Sequence, residues 1–117
     1  MNQLIFKYIG RPIFTMKFKC SCDMRGMLSF HILWLLSKHS MHGEQLAQEL
    51  AKRRGEKPKA GTIYPALKVL REKGLIKGVR RERIIVYTLT PDGKRDVKYA
   101  VEYFQQAYGD ILRRKRR

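Results

Sequence analysis

The chain has 117 residues, 44% of them hydrophobic, and sets 26 Lys and Arg against 10 Asp and Glu, a formal net charge of +16 at pH 7. That is one domain's worth of sequence with a modest core and a strong pull on polyanions, either nucleic acid or an anionic membrane surface. No apolar stretch reaches the roughly 18 residues that cross a bilayer, and the first residues lack a cationic region ahead of a continuous apolar one, so cytoplasmic residence without a membrane partner is expected.

Residues 1–23 alternate basic and apolar, with a turn at Gly10-Arg11-Pro12, and read as an accessory arm of unassigned role. Cys20 and Cys22 stand too close in sequence to pair with each other without strain in a regular strand or helix. From Met24 to Lys38 the run MRGMLSFHILWLLSK predicts a helix apolar nearly all round. Such a helix is covered on more than one side, and in so small a domain the second cover is expected from a partner chain. Leu28, Ile32 and Leu35 are therefore candidate interface residues. Ser40-Met41-His42-Gly43 breaks the pattern.

A second helix is predicted over about 44–53, on the stripe Leu46, Ala47, Leu50 and Ala51, with Gly55 as its stop. A third follows over about 61–73, with Ile63, Ala66, Leu67 and Leu70 facing inward, Pro65 in its first turn and Gly74 as its stop. Leu75-Ile76-Lys77 and Ile84 to Leu89 read as two strands, joined by residues 78–83 into a hairpin with Arg80, Arg81 and Arg83 at its tip. Thr90-Pro91 is a cap followed by proline at the first helical position. The last helix is predicted over about 91–112. Val97, Val101, Phe104, Tyr108 and Ile111 recur along it at coiled-coil spacing and predict an association seam. The run 113–117 is a basic tail.

Helix, helix, turn, helix, hairpin, long helix is the order of a winged helix-turn-helix carrying a C-terminal dimerisation helix, mainly α with a small β-hairpin. Residues 24–90 would form the DNA-binding unit and 91–117 the dimerisation helix with its tail. The chemistry is shape and charge complementarity. An α-helix fits the major groove of double-stranded B-DNA, where base edges show distinct donors and acceptors. With Ile63 and Leu67 inward, the third helix turns Tyr64, Pro65, Lys68 and Glu72 outward, with Thr62 at the flank. Thr62 and Tyr64 lie near the N-terminal end, where free N–H groups favour phosphate, and Lys59 adds a charge just ahead. Glu72 repels phosphate and predicts that the far end of this helix lifts away. Arg80, Arg81 and Arg83 suit phosphate or a narrow minor groove.

The stretch Gly61-Thr62-Ile63-Tyr64-Pro65-Ala66-Leu67, continuing to Leu70-Arg71-Glu72-Lys73-Gly74-Leu75-Ile76, resembles the signature of the PadR-like transcriptional regulators. Met41-His42-Gly43 and Tyr87-Thr88-Leu89-Thr90-Pro91-Asp92-Gly93 fit the same pattern, so the resemblance spans residues 24–112. It implies a homodimer whose terminal helices pack across the two-fold, a pseudo-palindromic operator, and in most members repression, in some relieved by small-molecule effectors. The tip of the hairpin lacks the Gly-rich turn often seen in the family. Residues 1–23 have no counterpart in it.

Competing readings are weaker. Cys20-x-Cys22 with His31, His39 and His42 falls short of the four suitably spaced ligands of structural zinc, and no cofactor is expected. Trp34 on an all-apolar helix reads as packing rather than as a ligand-stacking platform, and no polar constellation specifies an effector. The scattered carboxylates form no acid–base pair and no Gly-rich phosphate loop is present, so an enzyme is not expected. The charge also suits a structural RNA-binding or ribosome-associated winged helix. A monomer of that kind would leave the apolar seam from Val97 to Ile111 uncovered.

Overall fold

A computed structural model describes residues 27–113; the arm 1–23, with Cys20 and Cys22, and the tail beyond Arg113 lie outside the described residues. The elements are α1 (Leu28–Leu36), β1 (Met41–His42), α2 (Gly43–Arg54), α3 (Ala60–Glu72), β2 (Ile76–Arg81), β3 (Ile84–Leu89) and α4 (Pro91–Leu112). The strands form one antiparallel sheet in the order β1-β3-β2. This α+β architecture is the expected winged helix with one strand more than the sequence suggests.

The extra strand is β1. Met41 pairs with Tyr87 and His42 with Val86, so a segment that reads as a simple break lines the sheet edge beside β3. His42 then starts α2. Its Nδ1 accepts the Gln45 N–H at 3.3 Å, and its own N–H donates to Gln45 Oε1 at 3.0 Å, a reciprocal cap with histidine in the usual serine place. Glycine stops α2 at Gly55, as predicted.

The core is made of Ile32, Leu33, Leu35 and Leu36 from α1, Leu46, Ala47 and Leu50 from α2, and Ile63, Leu67 and Leu70 from α3, closed by Met41, Ile76, Tyr87, Leu89 and Val97. Each fully buried leucine or isoleucine contributes about 2 kcal/mol. The all-round apolar α1 needs no partner chain for its second cover. Its own α4 supplies it, with the Phe30 and Phe104 rings 6.0 Å apart and the Tyr108 ring 5.4 Å beyond Phe104. Ile32 and Leu35, expected at an interface between chains, are 0% and 1% exposed in this one and belong to its core.

The junction after α3 is tightly tied. The Thr90 hydroxyl donates to the Gly74 carbonyl at 2.6 Å and accepts the Gly93 N–H at 3.0 Å, while the Thr90 N–H donates to the Leu75 carbonyl at 3.0 Å. Gly93 sits so near that strand start that a Cβ on it would fall 2.0 Å from the Leu75 oxygen. The Thr90-Pro91-Asp92-Gly93 stretch is therefore the bracket that sets α4 against the end of α3 and the base of the hairpin.

His31 lies where α1 meets the end of α2. Its Nδ1 is 3.2 Å from Arg54 Nη1; the guanidinium can only donate, so the imidazole accepts there and carries its proton on Nε2. Burial, then the charges of Arg54 and Arg53, push its pKa from 6.5 down to about 4. The folded chain thus keeps His31 neutral in a range where the unfolded chain protonates it. Stability from this group is complete above pH 6.5 and is lost as pH falls from 6.5 toward 4. Denaturant unfolding across that window should show wild type losing roughly 1–2 kcal/mol more than His31→Gln. Parallel pH profiles for the two proteins would contradict the assignment.

Candidate nucleic-acid interface

Helix α3 buries Ile63, Leu67 and Leu70 and exposes Gly61, Thr62, Tyr64, Pro65, Lys68, Val69, Arg71 and Glu72. Lys59 is its N-cap in extended conformation and gives no side-chain cap bond. The first turn of α3 therefore keeps free N–H groups beside the Lys59 charge, the arrangement that suits an anion. Because the helix begins at Ala60, Pro65 is its sixth residue rather than part of the first turn. There it removes the normal N–H partner of the Gly61 carbonyl.

Two outward residues depart from a plain solvated face. Val69 is 43% exposed, an apolar side chain that the inward–outward pattern does not single out. Lys68 reaches Glu72 at 4.0 Å, both more than 60% exposed. That pair is worth little in water, yet it draws the Lys68 ammonium toward the one carboxylate on this face of α3.

The hairpin is longer than predicted and its tip tighter. Residues 78–81, expected in the loop, continue β2, where Arg80 pairs with Ile85 and Arg81 with Ile84. Only Glu82 and Arg83 form the turn, with Glu82 in the left-handed region at φ 58°. A two-residue hairpin turn needs a positive φ, and glutamate supplies it here in place of glycine. Strand alternation then sends Arg80 to the core-side face of the hairpin and Arg81 to the outer face, beside the exposed Val79 and Ile84. The three arginines thus surround the tip instead of sharing one side of it.

Charge separates along the molecule. Glu44 holds Lys57 at 2.7 Å, Glu49 holds Lys52 at 3.0 Å and Arg53 at 2.6 Å, Asp92 pairs with Arg95, and Asp110 holds Arg113 at 3.0 Å. The hydrogen bonds from Lys57 and Arg53 keep the Glu44 and Glu49 carboxyls below their ordinary pKa. Among the described residues, no such pair engages Lys59, Arg71, Lys77, Arg80, Arg81 or Arg83. Trp34 is likewise committed within the fold, with Lys38 Nζ 4.5 Å and the Arg53 guanidinium 5.8 Å from its ring centroid. No described cluster of His, Cys, Asp or Glu could hold a metal ion, and no described helix is long and apolar enough to cross a membrane.

On α4 the predicted seam divides. Val97 is buried, and Val101 and Phe104 are half-buried against their own chain. Tyr108 is 42% and Ile111 67% exposed. Tyr99 and Tyr103, one turn apart on another side of the helix, are 61% and 65% exposed. Leu28 is partly buried against the core.

Residues 32–99, more than half of the chain, match the family described as the transcriptional regulator PadR-like family. A transcriptional regulator of Mycobacterium tuberculosis, Rv3488, is 36% identical over 76 residues, 60% of this chain and 68% of its own length. Among solved structures, a transcriptional regulator from Clostridium thermocellum superposes with a TM-score of 0.66 at 25% identity, covering 75% of this chain and 92% of that one. RosR of H. salinarum gives 0.65 at 28% identity, covering 74% and 81%. A PadR family regulator from Clostridium difficile gives 0.62 at 26% identity, covering 75% of this chain and all of that one.

The Lys68–Glu72 contact makes a simple forecast. Glu72→Gln removes both the competitor for Lys68 and a charge that repels phosphate, so affinity for duplex DNA should rise, by about threefold. An unchanged affinity in fluorescence anisotropy would show that Glu72 stands clear of a bound duplex, and a lower one that its carboxylate supports binding.

Proposed function

We propose that this chain, which belongs to the PadR-like family of transcriptional regulators, is a homodimeric repressor that binds a pseudo-palindromic site in double-stranded DNA. The observation that carries this reading is the run of cations without carboxylate partners along α3 and the hairpin, Lys59, Arg71, Lys77, Arg80, Arg81 and Arg83. It lies beside a helix whose outward residues are short or polar enough to enter a major groove. Helix α3 reads base edges through Lys68, with Thr62 and Pro65 in contact near its start, and Lys59 meets backbone phosphate. The hairpin tip holds the neighbouring backbone or minor groove through Arg80, Arg81 and Arg83.

Selection of genomic fragments by the purified protein, read by sequencing, tests the reading directly. A motif with two-fold symmetry and half-site centres about 10 bp apart is expected; enrichment of no motif, or preference for folded RNA over duplex DNA, would overturn it. On the selected site, Lys68→Ala should cost more affinity than on random duplex, about 1–3 kcal/mol of discrimination. Arg80→Ala with Arg81→Ala should lower both alike and flatten the dependence on salt, by about 0.9 in slope for each phosphate no longer neutralised.

The exposed end of α4 supports the dimer. Ile111 and Tyr108 leave more apolar surface open than a lone helix end in water favours, and Val101 and Phe104 continue that surface toward the body. Ile111→Glu lies outside the chain's own core, so it should leave the melting of the isolated fold intact. Analytical ultracentrifugation should nevertheless show monomers, with binding to the full site abolished and weak binding to a half-site retained. A variant that sediments as a dimer would remove this end of α4 from the interface.

A further inference from the structure

Two glycines here have ordinary negative φ and are glycine for want of room. A Cβ on Gly43, the first residue of α2, would lie 2.3 Å from the Tyr64 hydroxyl oxygen and 2.9 Å from ring atoms Cε1 and Cζ. A Cβ on Gly78 in β2 would lie 2.8 Å from Ile85 Cγ2 and 3.4 Å from Tyr87 Cε1. The Tyr64 ring is thus laid back on the start of α2, and the Tyr87 ring lies against the base of the hairpin. Tyr64 remains 47% exposed, whereas Tyr87 is 6% exposed.

Arg71 joins them. It stands seven residues after Tyr64 on α3, two turns along the same face, and is exposed with no carboxylate partner among the described residues. Burial raises the Tyr87 pKa, and the side chains acting on it by charge are Arg71, which lowers it, and Tyr64, which raises it. Tyr64 and Arg71, two turns apart on one face of α3, and Tyr87 of β3 therefore lie around the corner between α3 and the hairpin, within electrostatic reach of one another, with α2 as the wall behind Tyr64. Tyr87 is the protonated floor. Tyr64 and Arg71 offer an O–H and a guanidinium to whatever occupies the corner.

We propose that Tyr64 and Arg71 close together on a single phosphate of the DNA backbone in this corner, and that Gly43 is the positioning residue that lets the Tyr64 hydroxyl reach it. The inference rests on the duplex-binding reading above and gives Tyr64 a backbone role instead of a base-reading one. An anionic oxygen accepting from both donors makes charge-assisted bonds. A phosphate held between α3 and the hairpin fixes the register in which Lys68 meets the bases without itself reading sequence.

The test is a scan of the selected site with single methylphosphonates, each removing one backbone charge, bound by the full-length protein. Wild type should bind about tenfold more weakly when one particular phosphate in each half-site is replaced. Tyr64→Phe and Arg71→Ala should bind the unmodified duplex more weakly, shed most of the sensitivity at that one phosphate, and keep the base preference of wild type. Gly43→Ala should reproduce Tyr64→Phe, and the double variant should be no weaker than either alone. If Gly43→Ala melts as an unfolded chain, the other two variants still decide the matter. A Tyr64→Phe profile equal to wild type at every phosphate, or an altered base preference, overturns the proposal and leaves duplex binding standing. Wild type that binds no duplex overturns both.

Discussion

The contact between Gly93 and the Leu75 carbonyl is the constraint on which the molecule's geometry rests. A helix cannot normally start that close to a strand's backbone, because any side chain would occupy the gap, and here a Cβ would come within 2.0 Å of the oxygen. Thr90 then closes the gap from both sides, donating to Gly74 at the end of α3 and accepting from Gly93 inside α4. The end of α3, the hairpin base and α4 are joined within four residues. Movement of α4 against α3 would have to break these bonds first, and the bonds sit at a buried glycine and a half-buried threonine. The angle at which α4 leaves the body is therefore a property of the fold, not of a flexible linker.

That rigidity gives the charge distribution its meaning. Glu44 and Glu49 on α2, and Asp92 and Asp110 on α4, are engaged by neighbouring cations. On α3 Lys68 reaches Glu72, whereas Lys59, Arg71, Lys77, Arg80, Arg81 and Arg83 have no such partner among the described residues. A uniform scatter of ten carboxylates over the surface would have left a diffuse positive field, good for loose attraction only. Pairing on α2 and α4 leaves unpaired cations on α3 and the hairpin, so in the proposed complex attraction and fit would favour the same docking pose. Glu72, at the end of α3 farthest from Lys59, and Glu82, in the hairpin turn, are the carboxylates on these elements.

Much of this is legible in the sequence, and the limits follow from distance along the chain. The helices α2, α3 and α4 can be placed to within a residue or two because their apolar stripes and glycine stops are local. Two-residue β1 cannot, since nothing in Met41-His42 marks a strand; it exists only because β3 offers an edge far along the chain. The hairpin reads short because Gly78, Arg80 and Arg81 show no alternation of polarity, although register with β3 makes them strand. The all-round apolar α1 suggests a partner chain. Period alone cannot tell whether the second cover is another molecule or the same chain's α4, and the Phe30–Phe104 contact makes it the latter for most of the helix. In the proposed interface, Thr62, Pro65 and Lys68 are assignable from helical phase and Lys59 from its place just ahead of the helix. Arg71 and Tyr87 are not, because their meeting point is built from α3 and β3. The available signal is Gly43: a glycine opening a helix after an ordinary cap asks what large side chain needs its space.

The division of α4 follows from the same bracket. Its first turns, through Val97, Val101 and Phe104, pack on the body that carries α3. Its last turns, with Tyr108 and Ile111, stand free of that body. At about 1.5 Å per residue, a helix of this length is a lever of about 33 Å. One end is bolted beside α3, and the other is exposed. In the proposed dimer the separation of two α3 helices would then be set by helix length and bracket angle alone. A site with altered half-site spacing would have to bend the DNA rather than the protein, at a cost the sequence between the half-sites determines. In that dimer, sequence at base pairs the protein never touches would become part of what it selects.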